Sequence, residues 1–266
     1  LFNIPYLCLT SLLIIVLLVV YILNFPVFGK YPSKVRLQKI KQLPNYGKNQ
    51  IDNQTFTPNL PEGISYWDVI KKMIQGNKNG SPLKVLPHQK PDFSPSEELK
   101  LTWFGHSSYL IQVEGKNILV DPVFSERTSP FQFLGTKRFA GTDFIKPEDF
   151  PNLDIVLITH DHYDHLDYHS ILKLKNKTSH FITSLGVGAH LEHWGVPSRQ
   201  ITELAWGEAT SAWADLHFTA APARHFSGRL FKRNQTAWSS FILKTEIHEL
   251  YLGGDSGYDH HFKTIG

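Results

Sequence analysis

The string THDHYDHLD, residues 159–167, follows directly on the apolar run IVLI at 155–158. A buried strand that ends this way delivers its next side chains to a sheet edge, where ligands bind in α/β folds. His160 and His162 are two apart, so extended backbone turns both the same way. Asp164 and His165 follow at the mouth of the next helix. The order supplies two imidazoles for one cation, then a carboxylate and an imidazole for a second. Loop histidines are often merely solvated, and Asp164 or Asp167 could cap a helix. The whole string behind an apolar strand favours metal over both.

Cys8 is the only cysteine, so thiolate ligands, a thiol nucleophile and a disulfide framework are excluded. A site of imidazole and carboxylate suits zinc, with iron or manganese as alternatives. Four residues cannot complete two coordination shells, so further ligands must come from later strand ends. In PARHF (222–226), His225 follows the strand LHFTAAP. In GGDSGY (253–258), Asp255 follows ELYL, with glycines that let the backbone approach closely.

The same pattern reading places strands at 99–104, 108–113, 117–122, 155–159, 180–184, 201–204, 216–222, 236–245 and 249–254. It places helices at 64–75, 166–176 and about 189–194. Strands with interleaved helices indicate layered sheets covered by helices. Trp103, Trp194, Trp206, Trp213 and Trp238 read as core. Arg127, Lys137 and Arg138 read as surface charge, with a phosphate contact as the alternative.

Residues 1–29 carry no charge, and 7–23 are nearly all hydrocarbon. That is comparable to the ~20 residues of a bilayer-crossing helix. It exceeds the ~7–15 residues of a signal core and lacks a cleavage site. The expectation is a single-pass transmembrane anchor over 1–29, then a basic linker and surface connector over 30–98. Lys30, Lys34, Arg36, Lys39, Lys41 and Lys48 precede any acid. This basic segment suits anionic lipid headgroups and leans toward a cytoplasmic-facing domain. Against a whole-chain charge of +3, the segment's +6 leaves −3 on residues 51–266, which argues against a nucleic-acid partner.

THDHYDHLD, PARH and GGDSGY together resemble the metallo-β-lactamase superfamily. With WFGHSSYLI, DPVFSERTSP, LGTKRF and THDHYDHLDYHS, the likeness is nearest its N-acylphosphatidylethanolamine-hydrolysing phospholipase D branch, over about residues 99–266. The resemblance implies an α+β fold, an αββα sandwich with a dinuclear zinc site along one edge. By motif, His160, His162 and His225 would hold the first ion, Asp164 and His165 the second, and Asp255 would bridge them. Asp121 is expected to orient a ligand histidine, since metal-bound imidazoles donate their other N–H to a carboxylate or carbonyl. His106 is expected to line the site. The pattern wants one more histidine beyond Asp255, so a chain truncated at its C-terminus is the expectation. The implied activity is hydrolysis of a phospholipid phosphodiester by a metal-bridging hydroxide, with Asp164 and Asp255 acting on it. Hydrolysis of a lactone or another small ester, and a non-catalytic binding module, are the alternatives.

Overall fold

A computed structural model describes residues 4–77, 79–213 and 216–266. Two sheets stack face to face. The first runs β1 (Lys100–Trp103), β2 (Tyr109–Val113), β3 (Lys116–Val120), β4 (Leu153–Ile158), β5 (Thr178–Ser184) and β6 (Ile201–Leu204), in chain order. Its first three strands pair antiparallel, and β3 to β6 pair parallel. The second sheet is antiparallel, in the order β12 (Glu249–Leu252), β11 (Ser240–Lys244), β8 (Leu216–Ala221) and β7 (Ala209–Trp213). A short hairpin joins β9 (Gly228–Arg229) to β10 (Lys232–Arg233).

Strand alternation sorts the side chains onto two faces. Ile111, Ile118, Ile155, Leu157 and Ile182 face the second sheet and meet Leu216, Phe218, Phe241 and Leu243. Leu110, Leu119, Val156, Ile158 and Phe181 face the other way, against Ile171, Leu174 and Leu191 of the helices α4 (Tyr168–Leu174) and α5 (Gly188–His193). Both faces of the first sheet are thereby covered, so its strands read as continuous apolar runs. A final short helix, α6 (His261–Ile265), lies by the second sheet, where Phe262 meets Tyr251.

The helix α1 (Ile4–Leu23) forms over the first apolar run. The transmembrane expectation is corrected: among the described residues, no helix is long and apolar enough to cross a membrane. Residues 1–3 of the expected anchor lie outside the described residues.

The segment read as a basic linker packs on the sandwich. It carries α2 (Lys34–Lys41), and Ile40 and Ile51 are buried against Leu185, Ala237 and Trp238. Arg36 pairs with Glu192 and Glu203, and Lys39 with Glu208. Further on, α3 (Tyr66–Gln75) occupies the amphipathic stretch, with Ser65 and Asp68 forming a reciprocal cap at its start.

Candidate metal centre

The parallel strands β3 and β4 end side by side, and their next residues build the centre. Asp121 follows β3 with its carboxylate buried. It accepts from the Thr159 amide at 2.8 Å and the Thr159 hydroxyl at 2.7 Å. Its φ of 41° is left-handed, which aspartate tolerates better than most residues. Thr159 also meets the His160 Nδ1 at 3.0 Å, so the imidazole presents Nε2 outward.

The chain then turns tightly. His162 O accepts from the amides of His165 and Leu166, at 3.1 and 2.8 Å. This brings the His165 ring to within 4.1 Å of the His160 ring, centre to centre. His225 arrives from the end of β8. His160 Nε2 lies 2.9 Å from His162 Nδ1, which lies 3.2 Å from His225 Nε2. Nitrogen ligands ~2.0–2.1 Å from a tetrahedral ion stand ~3.3 Å apart, so these three rings suit one divalent cation.

A second group adjoins the first. His165 Nδ1 meets Asp121 Oδ2 at 2.7 Å, while its Nε2 is buried and makes no hydrogen bond with any described residue. A buried imidazole nitrogen that makes no hydrogen bond yet lies beside carboxylates suits a cation ligand. Asp255 Oδ1 is 3.4 Å from that nitrogen and Oδ2 is 3.6 Å from His225 Nε2, so this carboxylate reaches both groups. A Cβ on Gly254 would stand 2.7 Å from the Ser239 carbonyl, so only glycine lets this backbone come close enough to aim Asp255. Asp164 Oδ2 meets His106 Nε2 at 3.1 Å. Three sets of ligand atoms thus converge within 4.8 Å: His160, His162 and His225; His106, Asp164 and His165; and His160, His165 and Asp255.

The electrostatics divide the rings. Burial, reinforced by the neighbouring imidazoles, drives His160 well below its ordinary value, and burial with His162 lowers His225 to about 4. Burial also opposes charge on His165, but the Asp121 carboxylate, helped by Asp255 and Asp164, outweighs it and raises this ring to about 10. At neutral pH the three-histidine group is therefore ready to ligate, and His165 still holds a proton that a cation must displace. Loading metal-free protein with zinc at pH 7 should release about one proton per chain from His165, readable by calorimetry in buffers of differing ionisation enthalpy. Uptake with no proton release would remove His165 Nε2 from the ligand set.

All six residues expected as ligands lie at this edge, and Asp121 and His106 lie against them. Asp161, within the same string, turns away: it accepts from Gly228 N at 2.7 Å and Thr236 Oγ1 at 2.9 Å, and faces His190 Nε2 at 3.3 Å. Asp167 caps α4 and also accepts from the amides of Phe124 and Ser125. Beside Asp164 opens a cavity of about 340 Å³ lined by Trp103, His106, Val123, Lys137 and Phe139. Trp103 is exposed here rather than core, whereas Trp194 and Trp238 are buried; the Trp213 side chain lies outside the described residues. The three basic residues are engaged, Lys137 with Glu126 and Arg127 and Arg138 with backbone carbonyls.

Sequence reasoning missed Arg229, because an arginine in a short hairpin has no periodic signal. Its guanidinium is fully buried and donates to the carbonyls of Asp161, Leu166 and Val27, at 2.8, 2.9 and 2.8 Å. It clamps both ends of the ligand loop from beneath.

Residues 116–265 match the family described as Beta-lactamase superfamily domain. An uncharacterized protein of Mycobacterium tuberculosis is 37% identical over 74% of this chain and 54% of its own length. A protein of Caenorhabditis elegans named N-acyl-phosphatidylethanolamine-hydrolyzing phospholipase D 1 is 34% identical over 66% of this chain and 52% of its own. The chain spans about half the length of these curated relatives. Among solved structures, the metallo hydrolase Igni18 of Ignicoccus hospitalis is 25% identical over 63% of this chain and 65% of its own, with a TM-score of 0.48.

Proposed function

The chain belongs to the beta-lactamase superfamily, and from that premise we propose that it is a metal-dependent hydrolase of phosphodiesters, with an N-acylated phospholipid as the substrate class. The observation that carries the reading is the meeting of three sets of ligand atoms at one sheet edge: His160, His162 and His225; His106, Asp164 and His165; and His160, His165 and Asp255. The likeness to the Caenorhabditis elegans phospholipase, and to a Saccharomyces cerevisiae protein of related name at 33% identity, supports the choice of bond.

His160, His162 and His225 would hold one ion, His165 and Asp164 the other, and Asp255 would reach both. A pair of divalent ions held there, zinc by donor type with iron or manganese as alternatives, would supply water ionised near neutral pH and positive charge opposite the developing phosphoryl anion. The chain's own residues fix the geometry. Asp121 holds the His165 Nδ1 proton, so Nε2 remains the ligating atom. His106 Nε2 meets one oxygen of Asp164 and so restrains that carboxylate. The cavity walled by Trp103, Val123 and Phe139 offers apolar surface beside the reacting edge, where part of a lipid substrate would leave water.

The test is release of phosphatidic acid from N-acylphosphatidylethanolamine by metal-loaded protein, run beside lactone opening under the same conditions. Phosphatidic acid release abolished by a chelator and restored by zinc supports the reading. Lactone opening without phosphodiester cleavage replaces the substrate class, and inactivity on both with metal bound favours the binding-module alternative.

A further inference from the structure

We propose that Asn53, which lies outside the matched superfamily domain, is a positioning residue for the metal ligand His225. The inference rests on the reading of His225 as a ligand. His225 sits in an irregular stretch after β8, where no long ladder fixes its backbone; the bridge nearest to it joins Arg224 to Gly257. The Asn53 side chain does what a neighbouring strand would do. The His225 amide donates to Asn53 Oδ1 at 3.0 Å, and Asn53 Nδ2 donates to the His225 carbonyl at 2.7 Å. One carboxamide thereby satisfies both main-chain groups of the ligand residue, across 172 positions of sequence. Holding both ends of one residue restricts its φ and ψ, and so the direction in which the ring leaves the backbone.

Asn53 is itself anchored. Ile51, two residues earlier, is fully buried, and its amide donates to the Asn234 carbonyl at 2.9 Å. Asp52 and Asn45 exchange two bonds, Asp52 N to Asn45 O at 2.8 Å and Asn45 Nδ2 to Asp52 O at 2.7 Å. The neighbouring Arg224 donates from Nε to Thr57 Oγ1 at 3.0 Å, so the same segment grips both residues of the Arg-His pair. His160 and His162 are held otherwise: Arg229 donates to the Asp161 carbonyl between them, and the His162 carbonyl accepts from the His165 and Leu166 amides. Only a carboxamide offers one donor and one acceptor at this spacing: alanine offers neither, and aspartate sets a carboxylate oxygen against the His225 carbonyl.

The experiment uses the whole chain and reads metal, not only turnover. Asn53→Ala and Asn53→Asp are compared with Asn45→Ala, which loosens the same segment without touching His225. Zinc affinity is measured by chelator competition, the visible spectrum of the cobalt(II)-loaded protein reports ligand geometry, and thermal unfolding of the metal-free forms reports the fold. Both Asn53 variants are expected to lose about 10–100-fold in zinc affinity and to alter the cobalt spectrum. Asn45→Ala should lower the unfolding temperature while keeping affinity and spectrum. Parental affinity and spectrum in the Asn53 variants overturn the inference, and so does an equal loss in Asn45→Ala, which would assign the effect to segment packing. Should Asn53→Ala fail to fold, Asn53→Asp, which keeps the acceptor for the His225 amide, carries the comparison. Failure of the unsubstituted chain to take up metal overturns the functional reading and this inference with it, a result distinct from loss confined to the variants.

Discussion

Replacing Asp255 by asparagine should lower turnover by at least ~100-fold while leaving the fold intact. Its carboxylate reaches His165 Nε2 on one side and His225 Nε2 on the other, at 3.4 and 3.6 Å. Asparagine keeps the shape but removes the charge and one of the two anionic oxygens. Partners that merely orient a metal ligand already cost 10–100-fold when removed, so a carboxylate serving two groups should cost more. The backbone at Gly254 is untouched by the change, so circular dichroism and the unfolding midpoint should hold. Full turnover in Asp255→Asn with both ions bound would show that this carboxylate does not bridge.

Asp121→Ala should strongly lower stability. The carboxylate is buried and serves the Thr159 amide, the Thr159 hydroxyl and His165 Nδ1 at once. Its loss strips a buried imidazolium of its nearest counter-ion in metal-free protein, leaving only the half-exposed Asp255 at 3.4 Å and Asp164 beyond, and breaking such a buried pair costs about 3–5 kcal/mol. Denaturant midpoints of the metal-free forms read this directly. The pH dependence follows from His165. Its folded value, about 10, lies above its ordinary 6.5, so pairing with Asp121 stabilises fully below pH 6.5 and fades as pH rises through about 10. The penalty of Asp121→Ala should therefore shrink toward alkaline pH. A variant with the parental midpoint at pH 6, or a penalty that grows above pH 9, would contradict the Asp121–His165 pairing.

The strands near the centre were legible because both faces of the first sheet are buried, which leaves long apolar runs bounded by turns. The weak strand Ala209–Trp213 was not, since ATSAW at a sheet edge has neither a sustained apolar run nor clean alternation. The six ligand candidates were legible because imidazole and carboxylate in quantity behind a buried strand have few other uses. Asp161 marks the limit of that reasoning. It stands between two of the histidines, yet its carboxylate points to Gly228, Thr236 and His190. No spacing rule separates it from Asp164; the tight turn at His162 does.

Residue types alone specified the chemistry of the edge: donors of nitrogen and oxygen, no thiolate, and strand ends on which to mount them. Those facts follow from residue type and local periodicity, which act over a few positions. Three features emerge with the folded chain: residues 26–53 pack against the sandwich, Arg229 clamps the loop that follows β4, and Asn53 holds His225. The first depends on Ile40 and Ile51 finding an apolar seat far away in sequence, and the other two on one polar side chain meeting distant backbone amides or carbonyls. Hydrogen bonds of that kind leave no periodic trace, because burial and geometry select them only after the chain has folded.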